Sequence, residues 1–378
     1  MTVSLKDALK FIGIIIIACC AVLVCNMFLN YDIDLRSIGK EVDASAAKLY
    51  DALRMNNTVV CSVTGGCLVL TAAVMLVFYI GQYIEAHSAR FGVLKALGYS
   101  DFKIALPCAV FGFCVFAGAI LGYALSWAII PRFYGSQNSG NNLPEVPLNF
   151  HASLLALLVF LPALAFSALS VGIALIKLKA PALALIRGTA HIKYPKKLPK
   201  DSDRPFLVQL ALNVLKEKKS LAFFIAFGGF CFSAMVQMGL SMKDYASDMM
   251  GAMIITIGLV LAATSLWLAF TTLVGGNAKK IAMLKVNGYG LKESGLAVLG
   301  LYAIPAFIGF AIGSIYQFAL LNIMVNIVFA SLGDVPAYSF DWVAFAICLA
   351  IFIVAYALLN AVYTVIIGKT PLKSVMSE

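Results

Sequence analysis

Charged residues are scarce in this sequence. Asp, Glu, Lys and Arg make up 12% of the 378 residues, whereas hydrophobic residues make up 62%. A soluble globular domain carries about 25% charged residues, so this composition excludes an ordinary soluble protein. Several apolar runs exceed the ~20 residues that a helix needs to cross a bilayer. The chain is therefore predicted to be all-α, a polytopic protein of the membrane.

Ionisable side chains are missing from the interiors of these runs, where the polar groups are Gln and Asn. A proton-coupled carrier usually needs a buried Asp, Glu or His, which disfavours that class, although backbone carbonyls alone can hold sodium. Protease motifs such as HExxH and GxSxG are missing too. The three histidines, His87, His151 and His191, lie at span ends or in loops with no visible partner. We predict no enzyme activity and no cofactor in this chain.

Cysteine pairs of the CxxC type are also lacking. All nine cysteines fall within or at the edge of apolar runs, where packed or lipid-facing thiols are expected and no metal or disulfide role is indicated. One phosphate-loop fragment occurs, Gly368-Lys369-Thr370, but the earlier glycine of that motif falls on Tyr363. We interpret the triplet as a helix end with an interfacial lysine, so any ATP hydrolysis must come from another polypeptide.

Eight apolar runs are long enough to span the membrane. Spans 1 to 8 are predicted at residues 11–29, 59–83, 104–130, 152–176, 221–240, 252–274, 296–327 and 342–367. If the amino terminus is cytoplasmic, 22 of the 28 Lys and Arg residues lie on the cytoplasmic side, as the positive-inside rule requires. Both termini are therefore predicted to be cytoplasmic. This orientation accounts for much of the net charge of +10, which we do not attribute to nucleic-acid binding.

Two short basic segments resemble each other and organise the chain. The first basic segment, residues 85–101, follows span 2, and the second basic segment, residues 279–291, follows span 6. Four identities lie 190 positions apart: Leu94/Leu284, Lys95/Lys285, Gly98/Gly288 and Tyr99/Tyr289. The economical interpretation is a duplicated unit; the alternative is two ordinary basic loops.

The residue pattern within each segment predicts a short helix. Its apolar residues recur at roughly helical spacing, and a glycine follows where a helix would end in a left-handed turn. In the first segment, Ser100 is then well placed to cap the next helix. Each helix is predicted to end at its glycine, Gly98 or Gly288.

Spans 3 and 7 each carry a pair of glycines four residues apart. Gly118 with Gly122 and Gly309 with Gly313 lie on one face of their helices. Such a face lets another helix approach closely, and packing of this kind holds helices together in lipid. A single GxxxG motif often occurs by chance in a membrane helix. Two such motifs in corresponding spans are less expected by chance.

The duplication predicts two parallel four-helix repeats of the same orientation. We place the first repeat at residues 1–190, a basic cytoplasmic linker with a leading helix at 191–218, and the second repeat at 219–378. The linker contains a basic run at 193–200, which favours contact with anionic lipid head groups. The longest outer loop, residues 30–58, is too short for a folded external domain.

These residues resemble a known family. The run from Arg90 to Ser100, RFGVLKALGYS, is similar to the signature of FtsX-like permeases, the MacB-type subunits of ABC transporters. The leading helix at 211–219 and the ending at 181–188 agree with it. The resemblance covers both halves and is weaker in the second, where Lys280 replaces Arg90 and Asn287 replaces Leu97. The large external domain of better-known members is missing here.

The resemblance implies a docking role for both basic segments. In this family the segment between the second and third spans docks on an ATP-binding subunit, so two copies of a cytoplasmic subunit carrying ATP and Mg are the implied partners. The docking residues carried over are Arg90, Leu94, Lys95, Gly98 and Tyr99 for one copy, and Lys280, Leu284, Lys285, Gly288 and Tyr289 for the other.

The expected function is that of an ABC transporter permease in a bacterial plasma membrane, exporting or extracting an amphiphile such as a peptide or lipid. The alternative is a regulatory protein that couples ATP hydrolysis to an external partner without transport, with the outer loop 30–58 as its contact.

Overall fold

The structure is a computed structural model. It describes residues 5–39, 47, 50, 51, 53–55, 57, 58, 72–74, 76–78, 80, 81, 83, 84, 87–137, 144, 146–186, 205–217, 219–242, 248–327 and 338–369. In this part of the chain every regular element is a helix and no strand occurs. The predicted all-α class is therefore confirmed.

Seven described helices are long and apolar enough to cross a membrane. They are span 1, Leu5–Ser37; span 3, Asp101–Gln137; span 4, Ala152–Leu178; span 5, Lys219–Ser241; span 6, Asp248–Gly276; span 7, from Leu291–Leu299 through Gly300–Tyr302 to Ala303–Ile327; and span 8, Trp342–Lys369. Predicted span 2 falls largely outside the described residues, but its described positions from 72 to 84 are helical. The helix pattern agrees with eight spans in two repeats.

Three spans depart locally from α geometry. Span 3 contains a 3₁₀ turn at Leu106–Ala109 and span 7 one at Gly300–Tyr302, each a few residues after the span begins. Span 4 contains a π turn at Ala156–Phe160, directly before Pro162. A proline cannot donate the backbone hydrogen bond of an α-helix, and a single wide turn is one way in which a helix accommodates the lost bond.

Four shorter helices with described bounds lie between the spans. We call Ser88–Ala96 the first short helix and Ala278–Val286 the second short helix. Ala182–Ile186 follows span 4, and Phe206–Glu217 precedes span 5. The basic run at 193–200, His191 and the remainder of the linker up to residue 204 lie outside the described residues.

Span 1 is longer than the sequence predicted. We placed its end at residue 29, followed by an outer loop, but the helix continues to Ser37. Polar residues on its last turns, including Asn30 and Asp34, are buried against span 3 and the chain that leads into span 4. Because these residues find hydrogen-bond partners in the protein, their polarity does not end the helix.

The chain divides into two compact units. One comprises residues 1–198 and 326–335, and the other comprises residues 199–325 and 336–378. In the first, Tyr31 packs edge-on against Phe133 and Tyr134. In the second, Phe352 packs against Phe310 and Tyr356. Edge-to-face and tilted aromatic contacts of this kind stabilise a core beyond their buried area.

Spans 4 and 8 are the most exposed of the seven spans. Only 22% of the most apolar stretch is buried in each, against 44% to 61% in the others. Exposed apolar helices satisfy their backbone hydrogen bonds internally and suit contact with lipid. The same pattern in both spans agrees with the duplication. The seven described cysteines form no disulfide with one another, and Cys61 and Cys67 lie outside the described residues.

Candidate functional site

The two short helices have the same geometry. Each has nine residues and starts after a residue with nearly identical backbone angles, His87 with φ −114° and ψ 16° and Asn277 with φ −116° and ψ 16°. These residues are themselves 190 positions apart. The resemblance seen in the sequence is therefore a resemblance in local structure.

Both short helices end in a Schellman motif. In the first, the N–H of Gly98 donates to the carbonyl of Lys95 at 3.1 Å, and the N–H of Tyr99 donates to that of Leu94 at 3.2 Å. Gly288 and Tyr289 make the equivalent bonds, both at 3.1 Å. The glycine after the helix takes a left-handed conformation in this motif, and φ is +87° at Gly98 and +81° at Gly288. No other described glycine has a positive φ. The predicted glycine stop is confirmed.

The identical lysines of the two segments contact the ends of later spans. Lys95 Nζ donates a hydrogen bond to the carbonyl oxygen of Leu178 at 2.7 Å, and Lys285 Nζ donates to that of Gly368 at 2.9 Å. The two acceptors are the last residue of span 4 and the penultimate residue of span 8. Carbonyls at a helix C-terminus lack intrahelical partners and carry partial negative charge. Each lysine therefore caps a span and ties its short helix to it.

Sequence reasoning assigned these lysines to a partner and missed this contact. The signal was present, because Leu178 and Gly368 are also 190 positions apart. A matching lysine and a matching span end could have been paired. The interpretation of Gly368-Lys369 as the end of a helix agrees with the structure, in which span 8 ends at Lys369.

The ten predicted docking residues differ in their exposure to solvent. Arg90, Gly98, Tyr99 and Gly288 are exposed. Leu284 is 2% exposed and belongs to the core of its unit. The remaining members are partly buried: Leu94, Lys95, Lys280, Lys285 and Tyr289.

Large apolar residues that we did not assign to docking form the outer surface of the short helices. Val93 is 50% exposed and its equivalent Met283 is 61% exposed. Leu97 and Val286 are also exposed, at 69% and 60%. Basic and polar residues lie beside them. An apolar surface rimmed by polar residues is typical of a protein interaction site.

The opposite face of the first short helix packs tightly. Phe91 is 2% exposed, and a side chain at Gly92 would overlap the Ala182 carbonyl and Ile186 of the following helix. In the second short helix, Ile281 is fully buried. Each helix is thus held to its own repeat on one face and is open on the other.

The turns after the short helices are capped differently. In the first, Ser100 Oγ accepts a hydrogen bond from the N–H of Lys103 at 3.4 Å, which confirms the predicted cap, and Lys95 forms an ion pair with Asp101 at 2.9 Å. In the second, the N–H of Gly290 donates to the Glu293 carboxylate at 2.9 Å. Both arrangements satisfy a free donor where the next span begins.

The paired glycines of spans 3 and 7 lie against other spans. A Cβ atom on Gly118 or Gly122 would overlap carbonyl oxygens of span 1. A Cβ atom on Gly309 or Gly313 would likewise overlap carbonyl oxygens of span 5. The backbones are in direct contact at these positions, so only glycine fits.

Polar side chains link the same pairs of spans. Asn26 of span 1 donates to Ser126 of span 3 at 2.6 Å, and Gln237 of span 5 donates to Ser314 of span 7 at 2.8 Å. All four residues are buried. Hydrogen bonds between spans supplement packing in the membrane.

A buried carboxylate lies near the end of span 1, in the part of the helix beyond residue 29 that we had assigned to an outer loop. Asp34 is 1% exposed and contacts His151 Nε2 at 2.9 Å. It also accepts hydrogen bonds from the hydroxyl of Tyr134 at 2.7 Å and from Asn30 at 3.2 Å. The statement that the histidines have no partner is therefore wrong for His151, and also for His87, whose Nδ1 lies 2.9 Å from the carbonyl oxygen of Tyr83. The partner of His151 was hidden because we placed the end of span 1 before Asp34.

No group of three His, Cys, Asp or Glu side chains that could hold a metal ion occurs among the described residues. The site consists instead of two short helices. Each is joined by a lysine to the end of a span and has an exposed apolar face. The structure therefore defines a polytopic helical membrane protein in which this arrangement of short helix and span occurs twice.

The family follows from a comparison with known protein families. The model of the FtsX-like permease C-terminal family matches the chain twice, at residues 62–181 and 252–372, which together exceed half of its length. The chain belongs to the FtsX-like permease family, as a tandem duplicated form. No curated protein and no solved structure is significantly similar to it. Membership makes it a membrane protein of the ABC permease type.

Proposed function

We propose that this chain is the permease subunit of an ABC transporter that exports or extracts an amphiphile. Two copies of a cytoplasmic ATP-binding subunit dock on it, one at each short helix. The observation that carries the proposal is the matched pair of short helices, each ended by a left-handed glycine and each tied by a lysine to the end of a span. Two equivalent short helices suit a partner that acts as a dimer.

The docking contact is made by the exposed apolar residues together with the basic ones. Val93, Leu97, Met283 and Val286 are all at least half exposed, and apolar anchors of this kind contribute most of the binding energy of protein interfaces. Arg90 lies beside them and adds charge complementarity. ATP and Mg belong to the docked subunits.

Closure of the ATP-binding subunits moves the two short helices. One route carries this movement through the glycine turn into span 3 or span 7, which begins within a few residues. A second route runs through Lys95 to the end of span 4, and through Lys285 to the end of span 8. Rigid helices joined by short turns transmit such displacements as units.

The basic residues orient the protein in the plasma membrane of a bacterium with both termini in the cytoplasm. The short outer loops favour an amphiphile from the bilayer over a large external partner. Asp34 and His151 pair near the end of span 1, not in the interior of a span, and together with the family this disfavours a proton-coupled carrier.

The test is reconstitution in liposomes with a candidate ATP-binding subunit co-expressed with the tagged permease. We expect two ATP-binding subunits per permease by native mass spectrometry, and ATP hydrolysis stimulated several-fold by an amphiphilic peptide or lipid. Hydrolysis that responds only to a soluble external protein would favour mechanical signalling instead. A permease that binds no ATP-binding subunit would overturn the proposal.

A further inference from the structure

Buried polar atoms without partners are concentrated near the outer end of span 1. Six such atoms lie on spans 1 and 3 of the first repeat and have no hydrogen-bond partner in the described part of the chain. They are Oδ1 of Asn26, Asn30 and Asp32, the hydroxyls of Tyr31 and Tyr123, and Nε1 of Trp127. In the described residues of the second repeat, the corresponding set is only Ser294 Oγ and the Tyr356 hydroxyl. The two repeats therefore differ here.

Hydrogen bonds place most of these atoms on one side of the repeat. Asn26 donates to Ser126, whose hydroxyl donates in turn to the carbonyl of Tyr123, and Trp127 is the next residue. Four residues beyond Asn26, Asn30 donates to the carbonyl of Asn149 at 3.3 Å.

The chain entering span 4 closes this side. Residue Phe150 follows Asn149, and its ring centroid lies 5.7 Å from that of Trp127 and 6.4 Å from that of Tyr123. Four of the unpaired groups, those of Asn26, Asn30, Tyr123 and Trp127, thus lie around three aromatic rings, between spans 1 and 3 and the start of span 4. We call this set the outer polar site.

Unpaired buried groups are rare in native proteins because each loses its bonds to water without replacement. Asn26 and Asn30 are each 0% exposed. Four such groups in one region point to a partner that is bound during function. The Oδ1 atoms of the two asparagines accept, Nε1 of Trp127 donates and the Tyr123 hydroxyl can do either, so the partner must both donate and accept.

The charges of the region narrow the class of ligand. Arg36 pairs with Asp32 at 2.6 Å, and His151 pairs with Asp34. No buried basic group in the described part of this region is thus left without a carboxylate, and Arg132 of span 3 is exposed. This disfavours an anionic phosphate inside the site. Hydroxyl groups each donate and accept, and aromatic rings provide the apolar walls that ligand sites usually have. A neutral, hydroxyl-rich headgroup meets both requirements.

We propose that the outer polar site binds a neutral polyhydroxylated headgroup, such as the sugar of a glycolipid. This deepens the proposed function, on which it rests, by naming the class of amphiphile. Phe150, which is 60% exposed, lies at the margin of the site and contacts the sugar from the lipid side. A lipid headgroup and a free sugar share this chemistry, and the test separates them.

The experiment measures binding without ATP. The full-length permease, with Trp267 and Trp342 changed to Phe so that Trp127 is the remaining tryptophan, is placed in phosphatidylcholine nanodiscs. We expect saturable changes in Trp127 fluorescence when diglucosyl-diacylglycerol is titrated in. A response to maltose alone would identify a free sugar as the source of the same chemistry. A response to phosphatidylglycerol but not to glycolipid would overturn the assigned class, as would no response at all.

The variant Tyr123→Phe gives a sharper test because it removes only an unpaired hydroxyl. We expect glycolipid binding about tenfold weaker, the change that corresponds to loss of one good hydrogen bond. The matched control is Tyr356→Phe, which removes an unpaired buried hydroxyl in the second repeat and leaves binding unchanged. Equal binding by Tyr123→Phe and the parent protein would overturn the inference.

A second pair separates lost binding from lost packing. Asn26→Leu and Gln237→Leu each remove a hydrogen bond to a serine of the opposing span, but only the first also removes a group of the outer polar site. We expect weaker glycolipid binding in Asn26→Leu alone. Docking of the ATP-binding subunits on the parent permease is measured separately. If these subunits dock and glycolipid does not bind, the inference fails and the proposed function stands.

Discussion

Lys95 and Leu178 are joined by a hydrogen bond of 2.7 Å between the lysine ammonium and the last carbonyl oxygen of span 4. The same bond joins Lys285 and Gly368 in the second repeat, and in both the two residues are 83 positions apart. Because the contact recurs at the same spacing in both copies, it belongs to the structure of the four-helix repeat itself. Under the proposed function it is a path for force that bypasses the glycine turn.

Substitution of both lysines tests that path. We expect Lys95→Met with Lys285→Met to bind the ATP-binding subunit but to move about five- to tenfold less amphiphile per ATP hydrolysed. The reason is the loss of two charged hydrogen bonds, each worth about 1.5–3 kcal/mol. The ratio is measured in liposomes from phosphate release and amphiphile transfer.

The control for the lysine variant is Lys103→Met, because Lys103 is exposed and lies in the same region. It removes a positive charge without removing a span cap. Equal loss in Lys103→Met and in the double variant would mean that charge alone matters. Normal coupling in the double variant would contradict the proposed path.

The glycine turns give a second prediction. A Cβ atom at Gly98 or Gly288 meets nothing within 4 Å, so any defect arises from the positive φ and not from lack of space. A left-handed conformation costs about 1–2 kcal/mol for an ordinary residue, whereas Asn tolerates it. When both glycines are changed, we expect the coupling of ATP hydrolysis to substrate to be weaker with Asn than in the parent protein and weakest with Val. Substrate-stimulated ATPase activity measures this coupling.

A matched control for the turns is Gly135→Val. Gly135 also has open space around a Cβ atom but lacks a positive φ. It should support normal coupling. If Val at both turns behaves like Val at position 135, the end geometry of the short helices has no role in coupling.

The repeat pattern, the helix stops and the apolar spans could all be predicted from the sequence, because each depends on local spacing. Gly98 and Gly288 follow from helical periodicity alone. Apart from the lysine contacts with the span ends, whose 190-residue spacing was visible, contacts between distant residues could not be predicted, as the burial of Leu284 and the pairing of Asp34 with His151 illustrate. Asp34 was assigned to a loop because a carboxylate at that position is expected to be in water unless its partners are known.

The ion pair between Lys95 and Asp101 makes a third prediction, of a small effect. Their side chains are 22% and 36% exposed, and pairs of this kind contribute about 0–1 kcal/mol. The second copy has Leu291 at the equivalent position. We expect Asp101→Leu to change coupling less than twofold in the liposome assay. A loss as large as that of the lysine variant would assign the ion pair, and not the span cap, the main role.

Helix packing gives a fourth prediction with opposite signs at two glycines. A Cβ atom at Gly309 would overlap the carbonyl of Ala226, whereas one at Gly172 meets nothing within 4 Å. Gly309→Ala should destabilise the protein by about 1–3 kcal/mol through overpacking. Gly172→Ala should stabilise it by up to about 1 kcal/mol, because Ala favours helix. Thermal unfolding in detergent measures both, and changes of the same sign would contradict the close approach of spans 5 and 7.

The buried carboxylate of Asp34 supports the last prediction. It accepts hydrogen bonds from Tyr134, Asn30 and the N–H of Asn149 and contacts His151. Asp34→Ala leaves several buried donors without an acceptor, and removal of one partner from a buried pair costs about 3–5 kcal/mol. We expect a lower midpoint of thermal unfolding, and a greater decrease than in a variant of an exposed carboxylate in the outer loop.

Two variants make the test specific to this network. Asp51→Asn changes an exposed carboxylate of the same loop region and should leave the unfolding midpoint unchanged. His151→Gln keeps an N–H that can donate to Asp34, whereas His151→Leu does not, so Gln should unfold at the higher temperature. Equal unfolding midpoints for His151→Leu and His151→Gln would mean that the hydrogen bond from residue 151 does not hold the start of span 4 to span 1. Tyr134 and Asn30 would then be the side chains that stabilise the buried Asp34 carboxylate.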